Sequence, residues 1–221
     1  APMARYAELH CHSNFSFLDG ASPPGELVAR ALDLGYAALA VTDHWGFYGA
    51  PRFRLAAEGT GLKTVYGTEV GLPRPSPLEG REGVGGGGSS DAVASAGRSS
   101  PLERDGPSAV PAGEVRGRRG RTHRMHGAKP LRVPPADHLV LLAPDPAGYA
   151  ALSGFVTRAQ FRGEKDLPAA SWEDLAAAAA AGRLVALTGC RHGAVPRAAQ
   201  EGHLDGAMRA AARLRELFPA R

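Results

Sequence analysis

Glu8-Leu9-His10-Cys11-His12-Ser13-Asn14-Phe15-Ser16-Phe17-Leu18-Asp19-Gly20 is the stretch on which the reading of this chain turns. It sets two imidazoles two residues apart near the start of the sequence. On an extended strand, residues i and i+2 point to the same side, so His10 and His12 aim at one point, as a chelating pair must. Imidazole is a ligand for zinc and iron. Tyr6, Leu9 and Cys11 read as a strand, and Asp19-Gly20 as the turn that follows. A carboxylate seven residues past His12 can return to the same metal. Taken alone, so short a motif reads equally well as two histidines on a strand edge.

Other strands carry residues of the same kind. Thr42-Asp43-His44 follows the apolar run Ala37–Val41, and Glu69 sits within Val65-Tyr66-Gly67-Thr68-Glu69-Val70. His138 opens Leu139–Leu142, and Cys190 follows Leu184–Gly189. Singly, each has an ordinary reading: a buried cysteine, a capped surface histidine, an unremarkable glutamate. Together, five strand-like runs each bear a ligand-type side chain at or near an end. In barrels of parallel strands the loops at one end hold the site.

The chain has 221 residues and 43% hydrophobic content, enough for one large domain or two small ones. Two cysteines are too few for a disulfide framework, which points to a reducing, cytoplasmic setting. No run of 18 apolar residues is present to span a membrane, and no signal peptide is apparent. The net charge of +4 is uneven. Residues 74–132 hold 11 Lys/Arg against 6 Asp/Glu, and the remainder is nearly balanced. That basic segment contains Gly85-Gly86-Gly87-Gly88-Ser89-Ser90, many prolines and almost no apolar periodicity. Residues 74–134 are therefore expected to be a disordered insertion between the stretches 1–73 and 135–221. Within it, Arg116-Gly117-Arg118-Arg119-Gly120-Arg121-Thr122-His123-Arg124 reads either as a phosphate-backbone contact or as a solvated charge tract.

Strand and helix signals alternate through the rest. Strands are expected at 5–10, 37–41, 62–72 with an interruption at Gly67, 138–143 and 184–187. Ser22, Asp145 and Ser171 read as helix N-caps, with Pro23 or Pro24 and Pro146 in first turns. Further helices are expected at 48–58, 195–200 and 204–218. Such alternation predicts a largely parallel sheet. The pattern leaves open whether the sheet is flat or closed into a barrel.

The ordered set ELHCHSNFSFLDGAS, ALAVTDHWGFYGAPRF, TVYGTEVGL, HLVLLAPDPAGYAALS and LTGCRHGAVPRA resembles the PHP (polymerase and histidinol phosphatase) family. More narrowly, it resembles the N-terminal PHP domain of bacterial C-family DNA polymerases. YGAPRF and GCRHGAVP are closest in character to the error-prone DnaE-like (ImuC type) branch. The resemblance implies a distorted (β/α)7 barrel, of which this chain would supply about five strands. It also implies up to three divalent ions, zinc or manganese, at a phosphoester site. The ligands it implies are His10, His12, Asp19, His44, Glu69, His138 and Cys190, with Glu69 placed to bridge two ions. Asp43 would orient an imidazole, and Arg191, with His192, would touch phosphate.

The family pattern ends in an Asp-x-His motif, and none follows Cys190 here. The expectation is thus an incomplete barrel, from a fragment or a broken gene. Three function classes follow. One is the PHP piece of an error-prone polymerase acting in DNA replication, damage bypass and repair, with DNA, the rest of the polymerase and lesion-bypass proteins as partners. Another is a metal-dependent phosphoesterase or 3′–5′ exonuclease. The third is a free-standing phosphatase of the histidinol-phosphate kind, against which Phe47-Tyr48-Gly49 and Gly193-Ala194-Val195-Pro196 argue.

Overall fold

The computed structural model describes residues 6–74, 136–164, 167–180 and 183–219. The expected insertion therefore lies, but for Arg74, outside the described residues. The elements are β1 (Ala7–Glu8), α1 (Pro24–Asp33), β2 (Ala38–Val41), α2 (Ala50–Ala57), β3 (Lys63–Pro73), β4 (Ala136–Ala143), α3 (Pro146–Arg162), α4 (Trp172–Ala180), β5 (Val185–Leu187), α5 (Ala194–Gln200) and α6 (Leu204–Leu217).

Local chemistry sets most boundaries. The Asp145 carboxylate accepts the Gly148 N–H at 2.7 Å, and Pro146 fills the first turn of α3. Ser171 Oγ accepts the Asp174 N–H at 3.1 Å at the start of α4. Helix α1 departs from expectation. Pro23, not Ser22, occupies the cap position, and no side chain caps it. The Ser22 carbonyl is instead taken up by the Asn14 N–H at 2.9 Å. Beyond Leu34, Gly35 adopts φ 68°, the left-handed conformation that ends helices.

The five strands form one sheet in sequence order, β1-β2-β3-β4-β5. Strands β1, β2 and β3 pair in parallel, whereas β4 runs antiparallel to both β3 and β5. The largely parallel sheet is thus corrected at β4. Antiparallel neighbours need no helical crossover between them, and the sequence between β3 and β4 has no apolar periodicity from which to build one. Strand β3 also runs through Gly67 without interruption, pairing there with Leu142. The glycine serves close approach instead: a Cβ at that position would lie 2.5 Å from the Leu141 carbonyl oxygen.

Register decides between a flat sheet and a barrel wall. Leu39, Val41, Val70, Leu72, Leu139 and Leu141 share one face. That face buries against Val28, Ala31, Phe53 and Ala57 of α1 and α2, and against Leu152, Phe155, Leu175 and Ala178 of α3 and α4. The opposite face carries Ala40, Val140 and Leu142 with Val65 and Leu187 beside them, and no helix packs on it among the described residues. Helices on one face only exclude an open doubly wound sheet, which is covered on both, and match the wall of a barrel. The fold is α/β, a partial barrel with β1 and β5 at its edges. No described helix is long and apolar enough to cross a membrane.

Candidate metal centre

The ligand-type residues lie at one end of the sheet. His10 and His12 follow β1, His44 follows β2 and bridges to Glu69 of β3, and Cys190 follows β5. His138 is different, because it lies near the start of its strand. Were β4 parallel, His138 would be at the far end. Its reversal sets His138 opposite Gly71, at the same end as the others.

Glu69 is the centre of the group and is 1% exposed. Its Oε2 faces the Nε2 atoms of His10, in a short contact, and of His12, at 3.4 Å. Its Oε1 makes a short contact with His138 Nδ1 and lies 3.8 Å from His44 Nδ1 and 4.0 Å from Cys190 Sγ. Burial by itself would push this carboxyl up. Hydrogen bonds with His10, His12 and His138 outweigh burial and hold it well below the ordinary carboxylate range. Farther out, Asp19 Oδ2 lies 2.5 Å from His12 Nδ1 and 3.0 Å from His44 Nε2, and those two contacts hold Asp19 below its ordinary value. For His12, burial acts to lower its basicity, but its contacts with Glu69 and Asp19 raise it.

Three overlapping groups have ligand atoms within 4.8 Å of one another: His10, His12 and Glu69; His12, Asp19 and His44; and Glu69, His138 and Cys190. All seven sequence-expected ligands thus come together. The donor chemistry fits divalent ions. Nitrogen, oxygen and one sulfur donor converge on shared points. Three protein donors per group is the count that leaves a position open for water or substrate. The two Glu69 oxygens face different groups, the arrangement of a bridging carboxylate.

Asp43 is placed differently from expectation. It is 1% exposed, and among the described residues its carboxylate is hydrogen-bonded to serines and to no imidazole. Its carboxylate accepts the Ser13 N–H, the Ser13 Oγ–H and the Ser16 Oγ–H, each at 2.7 Å. Ser16 Oγ in turn accepts the His44 N–H at 3.2 Å. Asp43 therefore ties the loop after His12 to the backbone that carries His44, acting through main chain and serines. Sequence reading missed both serines; the Ser-x-x-Ser spacing directly after His12 was the available signal. It also missed the support behind His138. There buried Asp137 accepts Arg197 Nε at 3.0 Å and Arg74 Nε at 3.1 Å. Arg191 and His192 line the open cleft over the cluster, with Arg191 exposed and donating from Nε to His192 Nε2 at 3.0 Å.

The loop between His12 and Gly20 closes tightly. A Cβ on Gly20 would lie 2.0 Å from the Ser13 carbonyl oxygen, so only glycine fits. Leu18 holds φ 67°, a conformation rarely taken by a bulky side chain and found where the surroundings enforce it.

A family model described as "PHP domain" matches residues 8–221. The chain belongs to the PHP domain family. Among curated proteins, this PHP chain is 36% identical over 218 residues to the error-prone DNA polymerase of Cutibacterium acnes, covering 98% of the chain and 14% of that protein. It is 39% identical over 202 residues to that of Nocardia farcinica, covering 87% and 15%. It is 37% identical over 214 residues to that of Mycobacterium tuberculosis, covering 96% and 15%. The chain spans about one seventh of the length of these relatives. A solved amidohydrolase from Chromobacterium violaceum, with bound sulfate and no metal, is 21% identical, covers 95% of this chain and 49% of its own, and has a TM-score of 0.36.

Proposed function

We propose that this chain is the PHP domain of an error-prone DNA polymerase and that its cleft is a divalent-metal phosphoesterase site. The convergence of seven ligand-type side chains around one buried glutamate carries the second half of that reading. The relatives' names carry the first. His10, His12, Asp19, His44, Glu69, His138 and Cys190 hold zinc or manganese. Bound ions there supply activated water and neutralise charge on phosphate oxygens. The two Glu69 oxygens, which face different donor groups, would hold bound ions together with the histidines around them. Asp19 and His44 stand on the solvent side, where substrate enters. Arg191, with His192, meets the phosphate across the cleft, and Asp43 keeps the loop bearing Asp19 in place. Residues 74–134 are an insertion that separates the two halves of the domain, and their basic run contacts nucleic acid backbone. DNA, the remaining polymerase chain and lesion-bypass proteins are the partners, and the cytoplasm is the setting.

The test is metal analysis of the purified chain with hydrolysis assays on single-stranded DNA and p-nitrophenyl phosphate. Retained metal, with hydrolysis lost on chelation and restored by zinc or manganese, supports the reading. Retained metal that raises the melting temperature without any hydrolysis would favour a structural platform. A chain that binds no divalent ion overturns the site. For the parent protein, the mass in cell extract separates the polymerase from a free-standing phosphoesterase: several times 22.9 kDa against that mass alone.

A further inference from the structure

His44 stands past the end of regular strand pairing. The last rung between β2 and β3 joins Val41 to Tyr66, and beyond it only an isolated bridge joins His44 to Glu69. Glu69 and His138 lie inside the β3–β4 ladder, which holds their backbones rung by rung. The backbone of His44 rests on a tight turn instead, Asp43-His44-Trp45-Gly46. That turn is strained. Trp45 adopts φ 52°, a left-handed conformation that a bulky side chain takes only where its surroundings enforce it.

Two side chains enforce it, from two different elements. Thr68 of β3 is fully buried and lies two residues before Val70, so it faces the helices while its neighbour Glu69 faces the cluster. Thr68 Oγ1 donates to the Asp43 carbonyl at 2.7 Å and accepts the Gly46 N–H at 3.2 Å. Its one proton goes to Asp43, because the Glu69 carbonyl, the other acceptor in reach, is farther away at 3.4 Å. An ordinary β-turn is closed by a bond from the carbonyl of its first residue to the N–H of its fourth. Here a hydroxyl from β3 stands between those two groups and closes the turn through itself. On the other side, Gln160 of α3 donates from Nε2 to the Trp45 carbonyl at 3.2 Å. The remaining ties, Trp45 N–H to the Glu69 carbonyl and Glu69 N–H to the Asp43 carbonyl, are backbone bonds that extend the strand pairing. Thr68 and Gln160 therefore act on main chain, one on each side of the strained residue.

Resting on the metal-site reading above, we propose that Thr68, supported by Gln160, is a positioning residue for His44: it holds the turn that carries the His44 ring to Asp19, and so sustains the His12, Asp19 and His44 group separately from the Glu69, His138 and Cys190 group. His44 Nε2 lies 3.0 Å from Asp19 Oδ2, and that approach depends on the turn. The group containing Cys190 stands on the β3–β4 ladder and does not.

Cobalt(II) titration of the full 221-residue chain reads both groups in one experiment. An ion bound by Cys190 gives a thiolate charge-transfer band in the near ultraviolet, whereas one held by imidazole and carboxylate gives only weak visible bands. The parent chain should take up more than one equivalent and show the thiolate band. Thr68→Val keeps the side-chain shape and removes the hydroxyl. It should lose one equivalent, or bind it about tenfold more weakly, with the thiolate band unchanged. Thr68→Ser keeps the hydroxyl and should restore the parent's uptake. Gln160 is exposed, so Gln160→Ala tests the same turn without putting the core at risk; it should weaken the same equivalent severalfold and leave the band intact. Unchanged cobalt uptake in Thr68→Val overturns the proposal. So does a parallel loss of the equivalents and of the thiolate band in a folded chain, which is what a purely structural role would give. If Thr68→Val does not fold, Gln160→Ala decides, and parent-like uptake there overturns the proposal. A parent chain holding a single, sulfur-ligated ion overturns it while leaving a metal site. A parent chain that takes up no cobalt fails the metal-site reading itself.

Discussion

Glu69 has almost no solvent of its own and is neutralised only by the groups facing it. Glu69→Gln keeps the shape and removes the charge. Metal analysis should then show the loss of at least one ion, and hydrolysis should fall on the order of a hundredfold. Asp43 predicts a different phenotype. Asp43→Ala leaves three donors of Ser13 and Ser16 unpaired in a buried site, which should cost about 2–3 kcal/mol, read as a lower urea midpoint at unchanged slope. Cys11 lies beside the ligand pair but packs into the helix-covered core. Burial first, and then the Glu8 and Asp43 carboxylates, push its thiol up to about 11. Its alkylation by iodoacetamide at pH 8 should be on the order of a hundredfold slower than that of free cysteine. At this scale the sequence was informative about which side chains meet, because ligand-type residues recur at the ends of several strands in one chain. It was silent on Asp43's partners, since a serine three residues from another serine looks like any turn.

Helix starts and strand register are the next level. The Asp145 cap can be tested by pH. The Gly148 N–H first, and Arg183 after it, hold the Asp145 carboxyl below its ordinary value against the opposing effect of burial. Its contribution to helix α3 is therefore complete above about pH 4 and is lost as pH falls toward the lowered value. The Gly148 amide should lose hydrogen-exchange protection in that acid range, and Asp145→Asn should remove the pH dependence. In β3, Gly67→Ala drives a methyl group against the Leu141 carbonyl, and calorimetry should show about 1–3 kcal/mol of lost stability. Caps at Asp145 and Ser171 were legible because the acceptor and the first-turn residues are adjacent in sequence. The direction of β4 was not. A run such as Leu139-Val140-Leu141-Leu142 looks the same whichever way its neighbour runs. The Gly67 interruption failed for a related reason: the glycine answers to a carbonyl on the partner strand, some 75 residues away in sequence.

For the whole molecule, the alternation of strands and helices gave the α/β class, and only register showed that the described helices lie on one face. The two-sidedness of the wall was invisible because both faces are rich in valine, leucine and alanine. Electrostatics gives a prediction at this scale. Single-stranded DNA affinity should fall steeply between low and physiological salt, with a logarithmic slope of about −0.7 for each phosphate neutralised. Deleting residues 110–130, which include five arginines between Arg116 and Arg124, should flatten that slope. An unchanged slope would leave the basic run without a role in binding.

The reversal of β4 has a consequence for where the chain can grow. Pro73 and Ala136 stand opposite each other, four residues beyond Glu69 along β3, a rise of about 13 Å. The chain therefore leaves β3 and enters β4 at the end of the sheet that carries the ligand-type residues, and not at the opposite end. Sequence can be added or trimmed between those two points without disturbing a single rung of the β3–β4 ladder.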